Sequence, residues 1–250
     1  MLKRYNIIFS IFIFFICNAS QAFDQKIYTD LGKDFKDVDW NLGFFQSHKF
    51  PKKDSVKWLK ENNNNFLRFK LQDKDIGYAS TDRKVSQWAP YMERAELTQR
   101  IGLKKSKYEI FFDIRIIDGF TNKKGEVFFQ IHQENKLCKI GPILKFQFKH
   151  TRLILSTINK KGTHKDNFVG LYLPEFLKKW STFKIIYDAE NNLISLFINN
   201  RLLSKNIKHS KNDCGTPYLK FGIYRKGNLK TPNEVSIIDF DNFKIFEIIK

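Results

Sequence analysis

From residue 91 to the end of the chain, short runs of alternating apolar and polar residues follow one another, separated by turn-forming pairs. A period of two marks a half-buried strand, and a long succession of such runs predicts stacked sheets. The candidate strands are Arg94–Leu103, Tyr108–Ile117, Val127–Gln133, Ile143–Lys149, Arg152–Ile158, Phe183–Asp188, Leu193–Ile198, Tyr218–Tyr224 and Val235–Ile248. Asp118-Gly119, Lys124-Gly125, Gly141-Pro142 and Asn191-Asn192 punctuate them. Upstream, Asp37–Gln46 and Phe66–Leu71 read as two further strands. The polar stretch 51–65 suggests one helical turn at Ser55–Lys60, and Pro174–Lys179 suggests another. The 26 phenylalanines and many isoleucines favour strands and a core between sheets. With no internal repeat or linker, the expectation is an all-β chain: one β-sandwich domain over residues 23–250.

The first 22 residues read differently. Lys3 and Arg4 precede an apolar run from Ile7 to Cys17, and Ser20-Gln-Ala22 supplies small residues for cleavage. This is the pattern of a signal peptide, with an apolar run short for a membrane span. Lipidation at Cys17 is disfavoured by the bulky Phe15 and Ile16 before it. The expected address is therefore periplasmic or extracellular, without stable membrane insertion. The leader carries only two of the positive charges, so the +18 of the whole chain remains largely in the mature protein. For an exported protein that charge points to acidic glycans or an anionic cell surface, and away from nucleic acid. A generally lysine-rich proteome accounts for it equally well. Cys138 and Cys214 are the cysteines left, a disulfide or two thiols; the two do not resemble a zinc site.

Three segments hold candidate chemistry. In Glu126-Val-Phe-Phe-Gln-Ile-His-Gln133, alternation puts Val127, Phe129 and Ile131 on one face and Phe128, Gln130 and His132 on the other. Gln130 and His132 would then lie roughly 7 Å apart. In Arg94-Ala-Glu-Leu-Thr98, Arg94, Glu96 and Thr98 share a face, and Arg94 can fork onto a carboxylate while Glu96 steadies it. In Tyr218-Leu-Lys-Phe-Gly-Ile-Tyr224, Tyr218, Lys220, Gly222 and Tyr224 share a face, with Gly222 allowing close approach by substrate or backbone. A fourth strand adds Lys145, Gln147 and Lys149 opposite Leu144, Phe146 and Phe148, offering amide and ammonium groups to a polyanion. Each segment alone has a plainer reading that by itself is at least as good. It is a solvated sheet face for Gln130 and His132 and for Lys145, Gln147 and Lys149, a structural ion pair for Arg94 and Glu96, and a core aromatic with a satisfied hydroxyl for Tyr224.

Taken in order, Arg94/Glu96, Gln130/His132 and Tyr218/Lys220/Gly222/Tyr224 resemble the jelly-roll polysaccharide lyases: the alginate lyase, glucuronan lyase and heparin lyase I families. The resemblance covers roughly residues 90–225. It implies a concanavalin-like jelly roll with a concave substrate groove, acting as a monomer on an acidic polysaccharide. It implies cleavage of a 1,4-linked uronic acid polymer by β-elimination, without metal or other cofactor. Arg94 and Gln130 would neutralise the uronate carboxylate, His132 would be the base, and Tyr224 the acid, or acid and base together. Glu96, Lys145, Gln147, Tyr218 and Lys220 would bind substrate.

Two positions depart from the alginate lyase pattern: Thr98 stands where a second arginine is common, and Phe221 where a small residue is common. The Arg-Ala-Glu-Leu wording and Gly141-Pro-Ile-Leu are closer to the heparin and glucuronan lyase branches. A non-catalytic, lectin-like jelly roll is the main alternative. A glycoside hydrolase would need paired carboxylates, and Glu109-Ile-Phe-Phe-Asp113 does not reproduce its usual strand. Residues 72–90 and 159–170 are the expected groove-closing loops.

Overall fold

Odd and even residues part company most cleanly along Lys107–Asp118 and Ser181–Asp188. In Lys107–Asp118, Tyr108, Ile110, Phe112, Ile114 and Ile116 are buried while their neighbours are partly exposed. The structure, a computed structural model, describes residues 44–46, 52, 54–77, 91–99, 103, 106–133, 141–159, 161–210, 215–227 and 234–248. The expected leader, both late cysteines and most of the expected loop 72–90 lie outside them.

The strands are β1 (Phe44–Gln46), β2 (Val56–Glu61), β3 (Asn64–Gln72), β4 (Met92–Gln99), β5 (Lys107–Asp118), β6 (Glu126–Gln133), β7 (Leu144–Lys149), β8 (Arg152–Ile158), β9 (His164–Tyr172), β10 (Ser181–Asp188), β11 (Leu193–Ile198), β12 (Arg201–Lys208), β13 (Pro217–Lys226) and β14 (Val235–Ile248). One seven-stranded sheet runs β1-β4-β13-β6-β7-β8-β9 and the other β12-β11-β10-β5-β14-β3-β2. Neighbouring strands in both are antiparallel. The all-β sandwich expected from the alternation is the fold observed.

Phe112 of β5 marks the middle of the core. Its ring stacks on Phe129 of β6 at 4.7 Å, on Phe183 of β10 at 5.2 Å and on Phe243 of β14 at 5.6 Å. Each fully buried phenylalanine contributes about 1.5–3 kcal/mol, so this shared aromatic layer is what holds the sheets face to face.

Three expectations need correction. The stretch around Ser55–Lys60 contains strand β2, not a helical turn. The expected loop 159–170 is mostly strand β9. In β6 a bulge shifts the register between Val127 and Phe129, so Phe128 does not share the face of Gln130 and His132, and Val127 does not share that of Phe129 and Ile131. Phe128 instead packs against Phe146, Phe148 and Phe183 in the core. An extra residue on one strand breaks strict alternation, and two adjacent phenylalanines both gain burial by it. The helical turn expected at Pro174–Lys179 is a 3-10 turn at Leu173–Glu175.

A compensating irregularity lies on β13, between Phe221 and Tyr224. Gly222 has φ +130°, and a Cβ there would sit 2.2 Å from the Ala95 carbonyl oxygen and 2.9 Å from the Phe69 ring. The close approach it allows is therefore to backbone and core. Gly222→Ala should destabilise the protein by about 2 kcal/mol or more, read as a lowered denaturant midpoint.

One buried ionic cluster ties the sheets together beside this bulge. Arg225 on β13 donates to Glu93 on β4, to Ser236 Oγ on β14 at 2.7 Å and to the Glu234 carbonyl at 2.8 Å. Ser236 in turn donates to Glu126 of β6 at 2.5 Å. Burial pushes the Glu126 carboxyl up to about 7, with Arg225 opposing the rise.

Candidate active site

Strand β4 turns Ala95 and Leu97 into the core, which sends Arg94, Glu96 and Thr98 to the outer face of the first sheet. Its neighbour β13 sets Tyr224 opposite Arg94, Gly222 opposite Glu96 and Lys220 opposite Thr98. On the other side of β13, β6 sets Gln130 opposite Lys220 and His132 opposite Tyr218. Strand β7 follows with Lys145 opposite Gln130. Gln147 is opposite Val127, itself opposite Tyr224. All nine residues expected at the site thus meet on one face, on four adjacent strands.

Arg94, Gln130 and Lys220 point away from the core and are nevertheless only 8, 4 and 7% exposed. The face is therefore recessed. Glu96 is its organiser: one carboxylate oxygen accepts from Arg94 Nη1 at 2.8 Å and the other from Gln130 Nε2 at 2.5 Å. A single buried carboxylate thus aims the guanidinium and the amide together. Arg94 also lies 4.4 Å from the centre of the Tyr224 ring, within cation–π range.

The His132 ring contacts that of Tyr218 at 5.3 Å, and Nδ1 lies 2.8 Å from the Gln133 carbonyl oxygen. A carbonyl only accepts, so Nδ1 carries the hydrogen and Nε2 of the neutral ring carries the lone pair. Burial, and then the charge of Lys220, push the imidazole down to about 4. Lys220 Nζ sits 5.8 Å from the Tyr218 ring centre. Burial also lowers the Lys145 ammonium from its ordinary value.

Further along the face, Gln147 Nε2 donates to Ser156 Oγ at 2.9 Å, and Ser156 donates to Asp166 at 2.6 Å. Ser156 on β8 and Asp166 on β9 were not legible as site residues, because their strands offer no motif. Of the two departures noted above, Phe221 is a core residue against Phe69, Phe240 and Phe243. Thr98 does face the site, and among the described residues its buried hydroxyl has no hydrogen-bond partner.

The arrangement combines fixed cationic and amide donors, a neutral imidazole and a phenol. Paired carboxylates are missing from it: among the described residues, Glu96 and Asp166 stand five strands apart on this face, about 24 Å. Glu109 and Asp113 belong to the other sheet, bound to Lys184 and Asn242.

No protein-family model and no curated protein matches the chain. Solved structures do. A tyrosine-to-phenylalanine variant of the family 7 alginate lyase A1-II', in complex with product, aligns over 76% of this chain and 83% of its own, at 14% identity and a TM-score of 0.57. An alginate lyase from Pseudomonas aeruginosa aligns over 79% of this chain and 87% of its own, at 13% identity and a TM-score of 0.56. The chain has the alginate lyase fold. A variant of A1-II' with a histidine changed to asparagine and a tyrosine to phenylalanine, in complex with substrate, aligns over 76% of this chain and 81% of its own (15% identity, TM-score 0.53). At such identities the likeness to alginate lyases is one of architecture, and the chemistry has to be argued from the residues themselves.

Proposed function

We propose that this protein is an exported polysaccharide lyase that cleaves a uronic-acid-containing polymer by β-elimination. The observation that carries the proposal is the meeting of Arg94, Gln130, His132, Lys220 and Tyr224 on three adjacent strands, with Glu96 bonded to two of them. The alginate lyase fold supports it, as does the basic charge of the chain.

The C5–H of a uronate is weakly acidic until its carboxylate is neutralised. Arg94 and the second N–H of the Gln130 amide supply positive charge and a hydrogen bond for that carboxylate, and Lys220 adds to the field. The electron pair left at C5 spreads into the carboxylate, then forms the C4–C5 double bond as the C4–O bond breaks. His132 Nε2 takes the C5 proton, and Tyr224 gives its proton to the departing glycosidic oxygen. Glu96 serves as a positioning residue, since both its oxygens are engaged. Gln147, steadied by Ser156, Lys145 and Tyr218 contact the sugars on either side.

A rise in ultraviolet absorbance from the unsaturated uronate is expected on one member of a panel holding alginate, glucuronan, heparin, heparan sulfate, chondroitin and pectate. Binding to one polymer with no absorbance change on any would replace this reading with the lectin-like one.

A base must be neutral to act, so activity is lost as pH falls through its pKa. For free His132 that lies at about 4. The acid limb of kcat/KM should accordingly sit near pH 4, well below that of an ordinary histidine near 6.5. A limb near 6.5 would show that burial and Lys220 do not control the imidazole.

A further inference from the structure

The outer face of the first sheet continues past the residues just described to β9, its last strand. Arg94, Tyr224, Val127, Gln147, Ile154 and Phe168 form one unbroken cross-strand row. From Tyr224 to Phe168 the row crosses four strand spacings, about 19 Å. That is the length of several linked sugars.

The far end of the row carries a feature that neither the fold nor the proposed chemistry requires. Phe168 and Tyr172 are each 44% exposed, among the most exposed large apolar residues described. Their rings meet edge to face at 5.2 Å, and the Arg152 guanidinium lies 5.6 Å from the Phe168 ring centre. A bulge brings the three together. Arg152 pairs with Tyr172 and Ile154 with Phe168, so Val169, Gly170 and Leu171 oppose Leu153 alone. Gly170, at φ +82° and with nothing within 4 Å of a Cβ position, forms the bend. The Glu175 carboxylate anchors the end of β9 by accepting from the Tyr172 N–H at 2.8 Å. Bulges of this kind re-aim side chains, and they concentrate beside active sites.

Resting on the lyase reading, we infer that Arg152, Phe168 and Tyr172 form a distal subsite for an acidic sugar unit of the polymer, several residues from the bond that is cleaved. The apolar C–H face of a pyranose lies against the rings, and the Arg152 fork takes the uronate carboxylate. The neighbouring cation Lys149, bound to Asp166 at 3.2 Å, keeps this end of the face from repelling a polyanion. The occupant is the same chain that reaches the catalytic residues, because the row is continuous and the charge complementary.

The test compares wild type with Phe168→Ala/Tyr172→Ala and with Arg152→Gln, on long polymer and on trimers too short to span the row. For the double variant the KM for polymer should rise about tenfold, with kcat and the kinetics on trimers unchanged. Arg152→Gln should raise the polymer KM and flatten its dependence on salt. A polymer KM equal to wild type in both variants would overturn the subsite and leave the lyase reading intact. Calorimetric binding of polymer separates the remaining cases. If wild type turns over no polymer, the lyase reading fails, and an affinity lost in the double variant still upholds the subsite. Equal affinity in both, or no binding by wild type, overturns it.

Discussion

Tyr224→Phe should lower kcat by about a thousandfold while leaving KM and the melting temperature close to wild type. The substitution removes one oxygen and nothing else. The ring keeps its place opposite Arg94 on β4, with the guanidinium 4.4 Å from its centre. What disappears is the proposed proton donor for the glycosidic oxygen, which is needed when the C4–O bond breaks and not when the sugar binds. His132→Ala should cost a comparable factor in kcat, since the proposed base is lost. Glu96→Gln gives the contrasting pattern: the carboxylate that aims Arg94 and Gln130 loses its charge, and KM rises together with a fall in kcat. A Tyr224→Phe enzyme with wild-type kcat would remove the phenol from the mechanism.

Arg225→Met should destabilise the fold by about 3–5 kcal/mol, against a total stability of about 5–15 kcal/mol for a protein of this kind. Methionine fills similar space but abandons Glu93 and Glu126, which are 1 and 0% exposed. Arg225 also donates to Ser236 and to the Glu234 carbonyl, so the link from β4 and β13 across to β14 goes with it, and Ser236 is left bonded to Glu126 alone. The loss has a pH signature with a definite sign. Burial raises the Glu126 carboxyl above its unfolded value of 4.5, and removing the guanidinium raises it further. A group raised in the folded state stabilises most below its unfolded pKa, and that stability is lost as pH rises through the folded pKa. The deficit of the variant should therefore be larger at about pH 8 than at about pH 5, in denaturant midpoints taken at each. An equal deficit at both would show that packing, and not charge, is what Arg225 supplies.

Strands β8, β11 and β14 begin and end where alternation places them. The strands that escaped notice, β2, β9 and β12, share a physical reason: each is an edge of its sheet. An edge strand has one hydrogen-bonded neighbour and needs no continuous apolar face. Arg201-Leu-Leu-Ser-Lys-Asn-Ile-Lys208 is exposed or half-exposed throughout, so its sequence holds no period to find. The bulge in β6 was hidden for a different reason, since an extra residue leaves composition unchanged while reversing the face of Phe128.

The candidate site divides in the same way. Arg94, Glu96, Gln130, His132, Lys220 and Tyr224 were legible because short alternating motifs hold them. Their sheet order was not: β13, late in the chain, inserts between β4 and β6 and so brings Lys220 and Tyr224 between Arg94 and Gln130. Nor was the double engagement of Glu96, which depends on the spacing of side chains across three strands. Ser156, Asp166, Phe168 and Tyr172 reach the same face only through the pairing of β7, β8 and β9, a long-range fact with no local trace.

The most direct test of the lyase reading is the mass of the oligosaccharides released from a polyuronate. Elimination leaves one product with a C4–C5 double bond, so each cleavage yields fragments lighter by one water than hydrolysis would. Wild type should release unsaturated fragments from at least one polymer of the panel, and Tyr224→Phe should release almost none. Fragments that have gained water at every cleavage would contradict the account, because Arg94, Gln130, His132 and Tyr224 have been given roles that only elimination uses.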